Sequence, residues 1–584
     1  MTSLAPPALP TRPPRRSTSW RGSGLSLYLP TILLSLVLIC LIVPPILVLV
    51  QSSLAPGEGS AGGLTLANYV KLFSAPGLYV SVFNSVVFAA AATALSLLAG
   101  AALAWIVERT NAPFRALAYV TTIISLGTPT ILYVNAWQFL LGRAGPFNSA
   151  YRALFGTDEN LFNVFTLPGM VFVEGTLWVP LSFLLMSATF KRQNAELEEA
   201  ARMSGAGVID TVVRVSLRLA LPAILGLALF IFIRNLEAFD VPVLLGTPGG
   251  ISLLTSDIYL SMTRVPPDIG HASAFSVILI LVVSVLLYYY GRLSQNADQF
   301  ASITGKGFRP RRFDLGPWRW MGGAIILVIF LITLALPLLA IAWNSLMPFT
   351  RGMTLAGLGS ITFKHYSVVL SDPFYLDLAF NTVVVAVAAA TGAMLLTALT
   401  AWFSVRKWPG YAILEQLVSI PLVFPGVVLG VAMIQVALRS PLPLYGTLWI
   451  ISIAFVIRYM PYGMRYSHSG VLQIHRELEE AAGVAGASQR RIFFRIVAPL
   501  LSPALISGWL FIFLLGAKEL SIAVLLSGVR NKTIAVAMFD QWTNGQAGEV
   551  AALGMVWTLL MSIFAAAMFY FSGRESDAVS KGMH

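Results

Sequence analysis

Long runs of apolar residues, each bounded by short polar segments, recur along the whole chain. An α-helix needs about 20 mostly apolar residues to cross the hydrocarbon core of a bilayer. The pattern predicts twelve such helices, at about residues 25–50, 78–107, 116–142, 167–190, 219–246, 272–291, 320–343, 378–405, 411–438, 446–464, 500–527 and 549–572. We therefore expect an all-α membrane protein with twelve transmembrane helices, the first of them retained and not cleaved as a signal peptide.

The second half of the chain repeats the first. Trp105 and Trp402 stand in similar apolar runs 297 residues apart, and ELEEAARMSGA from Glu196 matches ELEEAAGVAGA from Glu477 at an offset of 281. Each copy holds six predicted spans, and because six is even, both copies enter the membrane in the same direction. The fold is therefore expected to be two parallel six-helix repeats.

This repeat predicts the domain organisation. Two six-helix units are expected, joined by a polar, basic linker and flanked by short tails. The boundaries are a basic N-terminal tail 1–24, a first repeat 25–293, a linker 294–319, a second repeat 320–573 and a C-terminal tail 574–584.

Composition narrows the class of protein. The chain of 584 residues is 57% hydrophobic and 11% charged, against roughly 25% charged residues in an ordinary soluble domain. Its mean hydropathy is +0.78. A typical soluble enzyme and a disordered chain are therefore excluded. The net charge of +12 would otherwise suggest a nucleic-acid-binding protein, so its distribution along the chain matters.

The basic residues are unequally divided between the two sides of the predicted bundle. Of the Lys and Arg residues, 26 fall on the side of the N-terminus, 9 on the opposite side and three in or beside spans. This is the asymmetry of the positive-inside rule. It predicts cytoplasmic N- and C-termini, contact with membrane lipid and no nucleic-acid partner.

Cysteine and histidine usage excludes several kinds of site. The single cysteine, Cys40, excludes a disulfide within the chain and a metal site built from several thiolates. The five histidines show no metal-ligand spacing, and His468 and His475 read as part of a solvated face.

A polar segment lies between the fourth and fifth spans of each half, at 191–222 in the first half and at 472–503 in the second. We name these two segments the coupling loops. Each is predicted to be a helix–turn–helix. Acidic residues near a helix N-terminus are favoured by the macrodipole, small alanines allow another surface to approach, and glycine permits a sharp turn. The residues of interest are Glu198, Glu199, Ala200, Ala201, Gly205 and Arg214, and Glu479, Glu480, Ala481, Ala482, Gly486 and Arg495.

A solvated amphipathic helix that merely caps the bundle is the alternative reading of these loops. Their close similarity argues against it, because loops are where sequence normally diverges. A short helix pair on the membrane surface, suited to a groove of a partner, explains the pattern better.

The second loop resembles the coupling motif of binding-protein-dependent ABC importer permeases. The resemblance rests on Glu480-Ala481-Ala482, Gly486, Ile496 and Pro499. The first copy departs from the motif, since Arg218 stands where the proline is expected. The stretches 236–250, 518–526 and 544–554 look most like the ferric-iron branch of these permeases.

The resemblance implies a type I ABC importer fold in a bacterial cytoplasmic membrane. Two copies of a cytoplasmic ABC ATPase would bind the coupling loops, and a periplasmic or lipid-anchored substrate-binding protein would deliver the solute. The sequence contains no G-x-x-x-x-G-K-[ST] phosphate-binding motif. We therefore expect a subunit that is not an enzyme and carries no cofactor, with ATP and Mg²⁺ bound by the partner ATPase.

Charged residues within the fifth and eleventh spans are candidates for the translocation pathway, because charges inside a membrane are costly. They are Arg234, Glu237, Asp240, Lys518 and Glu519. The spacing of the first three predicts one helical face. The alternative is that they form buried structural ion pairs. Arg458 and Glu174, near the fourth span of each half, are expected in pairs or at an interface.

The solute stays open at this level. Ferric iron follows from the resemblance; thiamine, polyamine, phosphonate and sulfate or molybdate are alternatives, and the residues show no metal cage. An ion-gradient-driven secondary transporter is the alternative of a different class, but it would leave the twin coupling loops unexplained. A membrane-embedded enzyme would need a catalytic cluster that the sequence does not show.

Overall fold

The computed structural model describes residues 24–56, 63–193, 195–299 and 313–581. Over these residues the chain is helical and forms no β-sheet, apart from one isolated bridge between Thr110 and Phe313. Most of the predicted N-terminal tail, the middle of the linker, Asn194 of the first coupling loop and the last three residues lie outside the described part.

Each of the twelve predicted runs coincides with a helix or a broken helix. The bounds of these spans are Gly24–Ser53, Pro76–Arg109, Arg115–Gly127 with Thr130–Leu141, Leu167–Arg192, Leu217–Leu236, Ile269–Gln299, Arg319–Phe330 with Leu336–Leu346, Pro373–Val405, Tyr411–Ser419 with Gly426–Arg439, Leu448–Gln473, Ala498–Gly516 and Ala547–Lys581. The expected all-helical fold of two six-helix repeats is confirmed.

Short helices connect or precede the spans. They are Ala67–Ser74, Pro146–Phe155, Ala195–Met203, Val208–Thr211, Leu254–Thr263, Lys364–Ser371, Arg476–Val484, Gln489–Ile492, Ala523–Leu526 and Ile534–Thr543.

The tenth span differs from the rest in polarity. Nine helices of the described residues are long and apolar enough to cross a membrane, and two bent pairs raise the number to eleven. The tenth span, Leu448–Gln473, has 26 residues and is long enough, but Arg458 and Arg465 lower its hydropathy. Its arginines are therefore candidates for function and not for lipid contact.

Two spans are sharply bent. The third and the ninth spans bend by 110° and 107° where their two helices meet. In both spans the second helix starts directly after a proline, Pro129 or Pro425. The residue before a proline is disfavoured in the α conformation, which explains why each helix is interrupted there.

The two halves interlock in a symmetrical way. The first span packs on the sixth span and on the ninth, while the seventh packs on the twelfth and on the third. The third span also lies close against the twelfth: a Cβ on Gly127 would come within 2.8 Å of the Ser562 backbone nitrogen. Where the ninth span meets the sixth, Gln435 Nε2 donates a hydrogen bond to Ser273 Oγ at 3.1 Å. Each half therefore completes the packing of its partner.

The fifth and eleventh spans end earlier than predicted, at Leu236 and Gly516. Sequence reading ran them to 246 and 527 because the following residues are also apolar. Asp240 consequently lies beyond the helix end, and the prediction that it shares one helical face with Arg234 and Glu237 is wrong. The chain then forms the short helices Leu254–Thr263 and Ile534–Thr543 before it enters the last span of each half.

Candidate functional site

Both coupling loops fold as a helix, a turn and a second short helix. The first helices are Ala195–Met203 and Arg476–Val484, which we call the coupling helices. Gly205 and Gly486 follow them with φ of +88° and +84°. This left-handed conformation is one that glycine adopts at little cost, so the turn lies where the sequence places it.

The coupling helices expose apolar side chains at equivalent positions. Leu197 and Leu478, 281 residues apart, are each 48% exposed, and Met203 and Val484, again 281 apart, are 90% and 92% exposed. Glu199, Ala200, Glu480 and Ala481 are exposed on the same helices. The same two positions are therefore apolar and exposed in both halves, which makes them candidates for contact with a protein partner.

The second glutamate of each coupling helix, Glu198 or Glu479, is held inside the protein. Glu198 is buried and accepts a hydrogen bond of 2.6 Å from Ser216 Oγ, with Arg109 at 3.7 Å. Glu479 pairs with Arg406 at 2.6 Å and accepts from Trp402 Nε1 at 3.0 Å. These two glutamates consequently fix the helices to the bundle, whereas Glu199 and Glu480 face outward.

Sequence reading missed Arg109 and Arg406. A signal was available, because each arginine follows the repeated tryptophan, Trp105 or Trp402, by four residues. They read as ordinary basic residues at the end of a span, and only the contacts show their glutamate partners.

A wider helical turn joins each coupling loop to the next span. Residues Val212–Ser216 and Phe493–Val497 form π-helical turns, again 281 residues apart. They contain Arg214 and Arg495, both exposed. Arg214 lies 3.4 Å from Asp210, also exposed, an ion pair of little energetic weight. Such turns are rare and occur frequently at functional sites.

A cavity of about 970 Å³ lies between the two halves. Its lining runs from Gly426 and Ser521 to Thr189 and Gln473, which adjoin the coupling loops. All five pathway candidates line it, together with Glu174, Arg458, Arg465 and three tyrosines of the tenth span, Tyr459, Tyr462 and Tyr466. The structure thus brings together the charges that the sequence places in four different spans.

Glu237 connects the two halves across this cavity. Its Oε2 lies 2.6 Å from Arg234 Nη1 in the same half and 2.9 Å from Arg458 Nη2 in the other. Arg458 is buried and also donates to the Phe424 carbonyl. The predicted alternatives are therefore not exclusive, because the ion pair that packs the interface also forms part of the cavity wall.

The remaining charges line the cavity with fewer direct contacts. Lys518 Nζ donates to the Leu126 carbonyl of the first half at 3.1 Å. Glu519 accepts from Tyr459 at 2.9 Å, and Glu174 accepts from Trp178 Nε1 at 2.9 Å. Asp240 Oδ1 is buried and has no hydrogen-bond donor among the described residues. These carboxylates offer acceptors to a passing solute.

No metal cage is formed within the described ranges, where no group of three or more His, Cys, Asp or Glu side chains is arranged to hold an ion. Any cation that passes through would meet isolated carboxylates and hydroxyl groups. Such a lining suits brief contacts and not tight chelation.

Comparison with known proteins decides the family. The model of "binding-protein-dependent transport system inner membrane component" matches twice, at residues 96–297 and 393–575. The chain belongs to this family. Each match contains one coupling loop, so the permease unit occurs twice in a single multi-pass membrane chain, and ABC importer permeases are non-catalytic subunits.

Several transport proteins are similar to this permease. The ferric transport system permease protein FbpB of Actinobacillus pleuropneumoniae is 26% identical over 448 residues, covering 76% of this chain and 64% of that protein. The probable ABC transporter permease y4fN of Sinorhizobium fredii is 26% identical over 518 residues, covering 85% and 87%. The putrescine permease PotI of Escherichia coli K12 is 28% identical over 246 residues, covering 41% and 84%.

The chain spans about 64% of the length of the ferric permeases that it matches. Among solved structures, a bacterial ABC transporter that imports the acidic polysaccharide alginate matches with a TM-score of 0.38 and 18% identity. That match covers 47% of this chain and 94% of the other.

Proposed function

We propose that this permease is the membrane subunit of an ATP-driven importer of a bacterial cytoplasmic membrane. It would carry a small solute, ferric iron in the first place, into the cytoplasm by alternating access. The carrying observation is the pair of coupling helices, which expose the same apolar positions in both halves beside one shared cavity.

Two copies of an ABC ATPase would bind the two coupling helices. Leu478 and Val484, or Leu197 and Met203, would enter a groove of each copy, where burying apolar area yields about 25 cal/mol per Å². ATP and Mg²⁺ would be held by those partners. The excess of basic residues on the side of the N-terminus supports a cytoplasmic position for the coupling loops and for both termini.

The cavity fits the inward-facing stage of such a cycle. Its lining reaches Thr189 and Gln473 beside the coupling loops. Away from those loops the two halves touch, with the rings of Tyr259 and Phe539 at 6.2 Å between centroids. ATP binding to the partners would close the coupling side and part this contact, so that a separate binding protein could release its solute into the cavity.

Ferric iron is proposed because two relatives are named ferric permeases and because the cavity offers carboxylate and phenol oxygens, which are hard ligands. Specific recognition would belong to the binding protein. A polyamine is the second candidate, since Glu174, Asp240 and Glu519 would also attract an ammonium group and PotI is named a putrescine permease.

Reconstitution tests the proposal. The chain is co-expressed with the ATPase and the binding protein encoded beside it, and the complex is placed in liposomes with ATP inside. Uptake of ferric iron, putrescine and thiamine is compared. Iron uptake that needs both ATP and the binding protein supports the proposal. Uptake of putrescine alone would mean that putrescine, and not ferric iron, is the solute. Uptake driven by an ion gradient without any ATPase contradicts the whole assignment.

A further inference from the structure

Two arginines outside the coupling loops make the same contact in both halves. Arg109 ends the second span, and Arg406 lies one residue beyond the end of the eighth, 297 residues later. Arg109 Nη2 donates to the Gln193 carbonyl and Arg406 Nη2 to the Ile474 carbonyl, each at 2.9 Å. Both carbonyls stand two residues before a coupling helix.

Each guanidinium also lies beside the second glutamate of that helix, with hydrogen bonds in the second half and an ion-pair contact in the first. Arg406 binds Glu479 Oε1 through Nη2 at 2.6 Å and through Nε at 2.9 Å. Arg109 lies 3.7 Å from Glu198, and both side chains are buried. A planar guanidinium with several fixed donors can hold a carbonyl and a carboxylate at once, which lysine cannot do in the same geometry.

The carboxylates are also held by residues that differ between the halves. Ser216 donates to Glu198, but its equivalent is Val497. Trp402 donates to Glu479, but its equivalent, Trp105, packs against Phe313, and its Nε1 has no partner among the described residues. Different residues thus donate to the buried glutamate in the two halves. What the halves share is a buried glutamate beside an arginine.

We infer that Arg109 and Arg406 are positioning residues that fasten the coupling helices to the second and eighth spans. Each coupling helix then has two attachments, one through the π-helical turn to the fifth or eleventh span and one through its arginine. The second span packs along the fourth and fifth, and the eighth along the tenth and eleventh. A push on the coupling helix is therefore delivered to several helices of the cavity wall together.

This inference rests on the proposed function and deepens it, because it concerns how partner movement reaches the cavity. The ATPase-facing residues are not touched by removing the arginine. Loss of the fastening is therefore expected to lower the amount of solute imported per ATP hydrolysed and to leave the binding of the ATPase intact.

The test uses the full complex in liposomes with Arg406→Gln, Arg406→Lys and Glu479→Gln. We expect Arg406→Gln and Glu479→Gln each to lower the ratio of solute imported to ATP hydrolysed about tenfold, in the range that residues between coupled sites produce. The double variant should be no worse than either single one. Arg406→Lys should rescue the ratio in part. Lys71→Gln, which breaks the exposed pair with Asp268, is the matched control and should keep the wild-type ratio.

An unchanged ratio in an assembled Arg406→Gln complex, or additive effects in the double variant, would overturn the inference. If Arg406→Gln fails to accumulate, Glu479→Gln decides, because it keeps the size of the side chain and removes only the negative charge that Arg406 binds. A lowered ratio then supports the inference and an unchanged ratio overturns it. A wild-type chain that retains no ATPase contradicts the proposed function instead, and co-purification detects that case separately.

Discussion

At the scale of single residues, Glu237 carries an unusual combination of contacts. One buried carboxylate balances Arg234 of its own half and Arg458 of the other. Breaking a buried ion pair from one side is costly because it leaves the remaining charge without compensation, whereas replacing both partners by apolar groups is often neutral. Changing one partner and then both, with stability and uptake measured each time, therefore separates a structural pair from a pathway residue.

Glu237→Gln is expected to lower stability by about 3 kcal/mol, since Arg458 would stay buried without its full countercharge. Thermal unfolding of the purified chain measures this. Glu159→Gln, on an exposed loop, is the control and should not shift the midpoint.

A double variant, Glu237→Met with Arg458→Met, should recover much of the lost stability, because no buried arginine is then left without its acid and Arg234, whose side chain is 27% exposed, can be hydrated. If uptake also recovers, the pair is structural only. Stability without uptake indicates that the charges act on the solute. Unchanged stability in Glu237→Gln would show that the negative charge of Glu237 does not stabilise the fold.

Residue types alone identified the charges that matter, but not their partners. Arg234, Glu237 and Lys518 stood out because charge inside an apolar run is conspicuous. The link from Glu237 to Arg458 joins residues 221 positions apart, and nothing local in the sequence encodes it. Arg109 and Arg406 were missed for the opposite reason, since a basic residue at the end of a span is ordinary.

At the scale of elements, the turn after each coupling helix depends on one glycine. At Gly486 a Cβ would meet nothing within 4 Å, yet φ is +84°. Any cost of substitution is therefore backbone strain and not a clash. Gly483 lies inside the helix with equally open surroundings and no positive φ, so it is a matched comparison.

Gly486→Ala should destabilise the loop by roughly 1–2 kcal/mol because an L-residue resists the left-handed conformation. Gly483→Ala should instead stabilise the coupling helix, by about 0.5–1 kcal/mol, because alanine favours a helix more than glycine does. Hydrogen exchange of the coupling-helix amides measures both. Faster exchange in the Gly483 variant, or no change in the Gly486 variant, would contradict the expectation.

The π-helical turns set how each coupling loop is rotated about the axis of the span that follows it. A helix advances about 100° per residue, so deleting exposed Val213 and restoring an α-helical turn would rotate the preceding loop by that angle. The exposed Leu197 and Met203 would then point away from the groove of the partner. We expect the variant to insert normally but to lose its ATPase on purification.

Deleting Thr157, in the loop between the third and fourth spans, should leave the ATPase bound and serves as the control. An ATPase that stays bound to the Val213 deletion would show that the turn does not set this rotation. Sequence reading had no means of finding these turns, because they depend on hydrogen-bond register and not on residue type.

At the scale of the whole molecule, the proposed alternating access would require the contact between Tyr259 and Phe539 to open. Sequence reading predicted twelve spans and their duplication, since both depend on apolar length and similarity. The early ends of the fifth and eleventh spans were not predictable by that means, because hydropathy reports composition and not where the backbone leaves the helix. Glu237, Asp240, Lys518 and Glu519, which follow those ends, line the cavity.

Cross-linking Tyr259→Cys with Phe539→Cys, in a Cys40→Ser background, should hold the chain closed on that side. A short bis-maleimide should abolish ATP-driven uptake while each single-cysteine chain stays active, because only the double variant can be joined across the halves. Gel mobility measures the cross-link. Full uptake by fully cross-linked chain would exclude an opening at this place.

The opposite charges at equivalent positions have a consequence for how the two halves recognise each other. Counting by the offset of 281, Glu237 corresponds to Lys518, and Arg458 corresponds to Leu177. Two copies of the first half would set Glu237 against leucine, and two copies of the second would leave Arg458 without an acid. Self-association of either half is thus penalised, and one polypeptide carrying both guarantees the pairing in which the buried Arg458 meets Glu237.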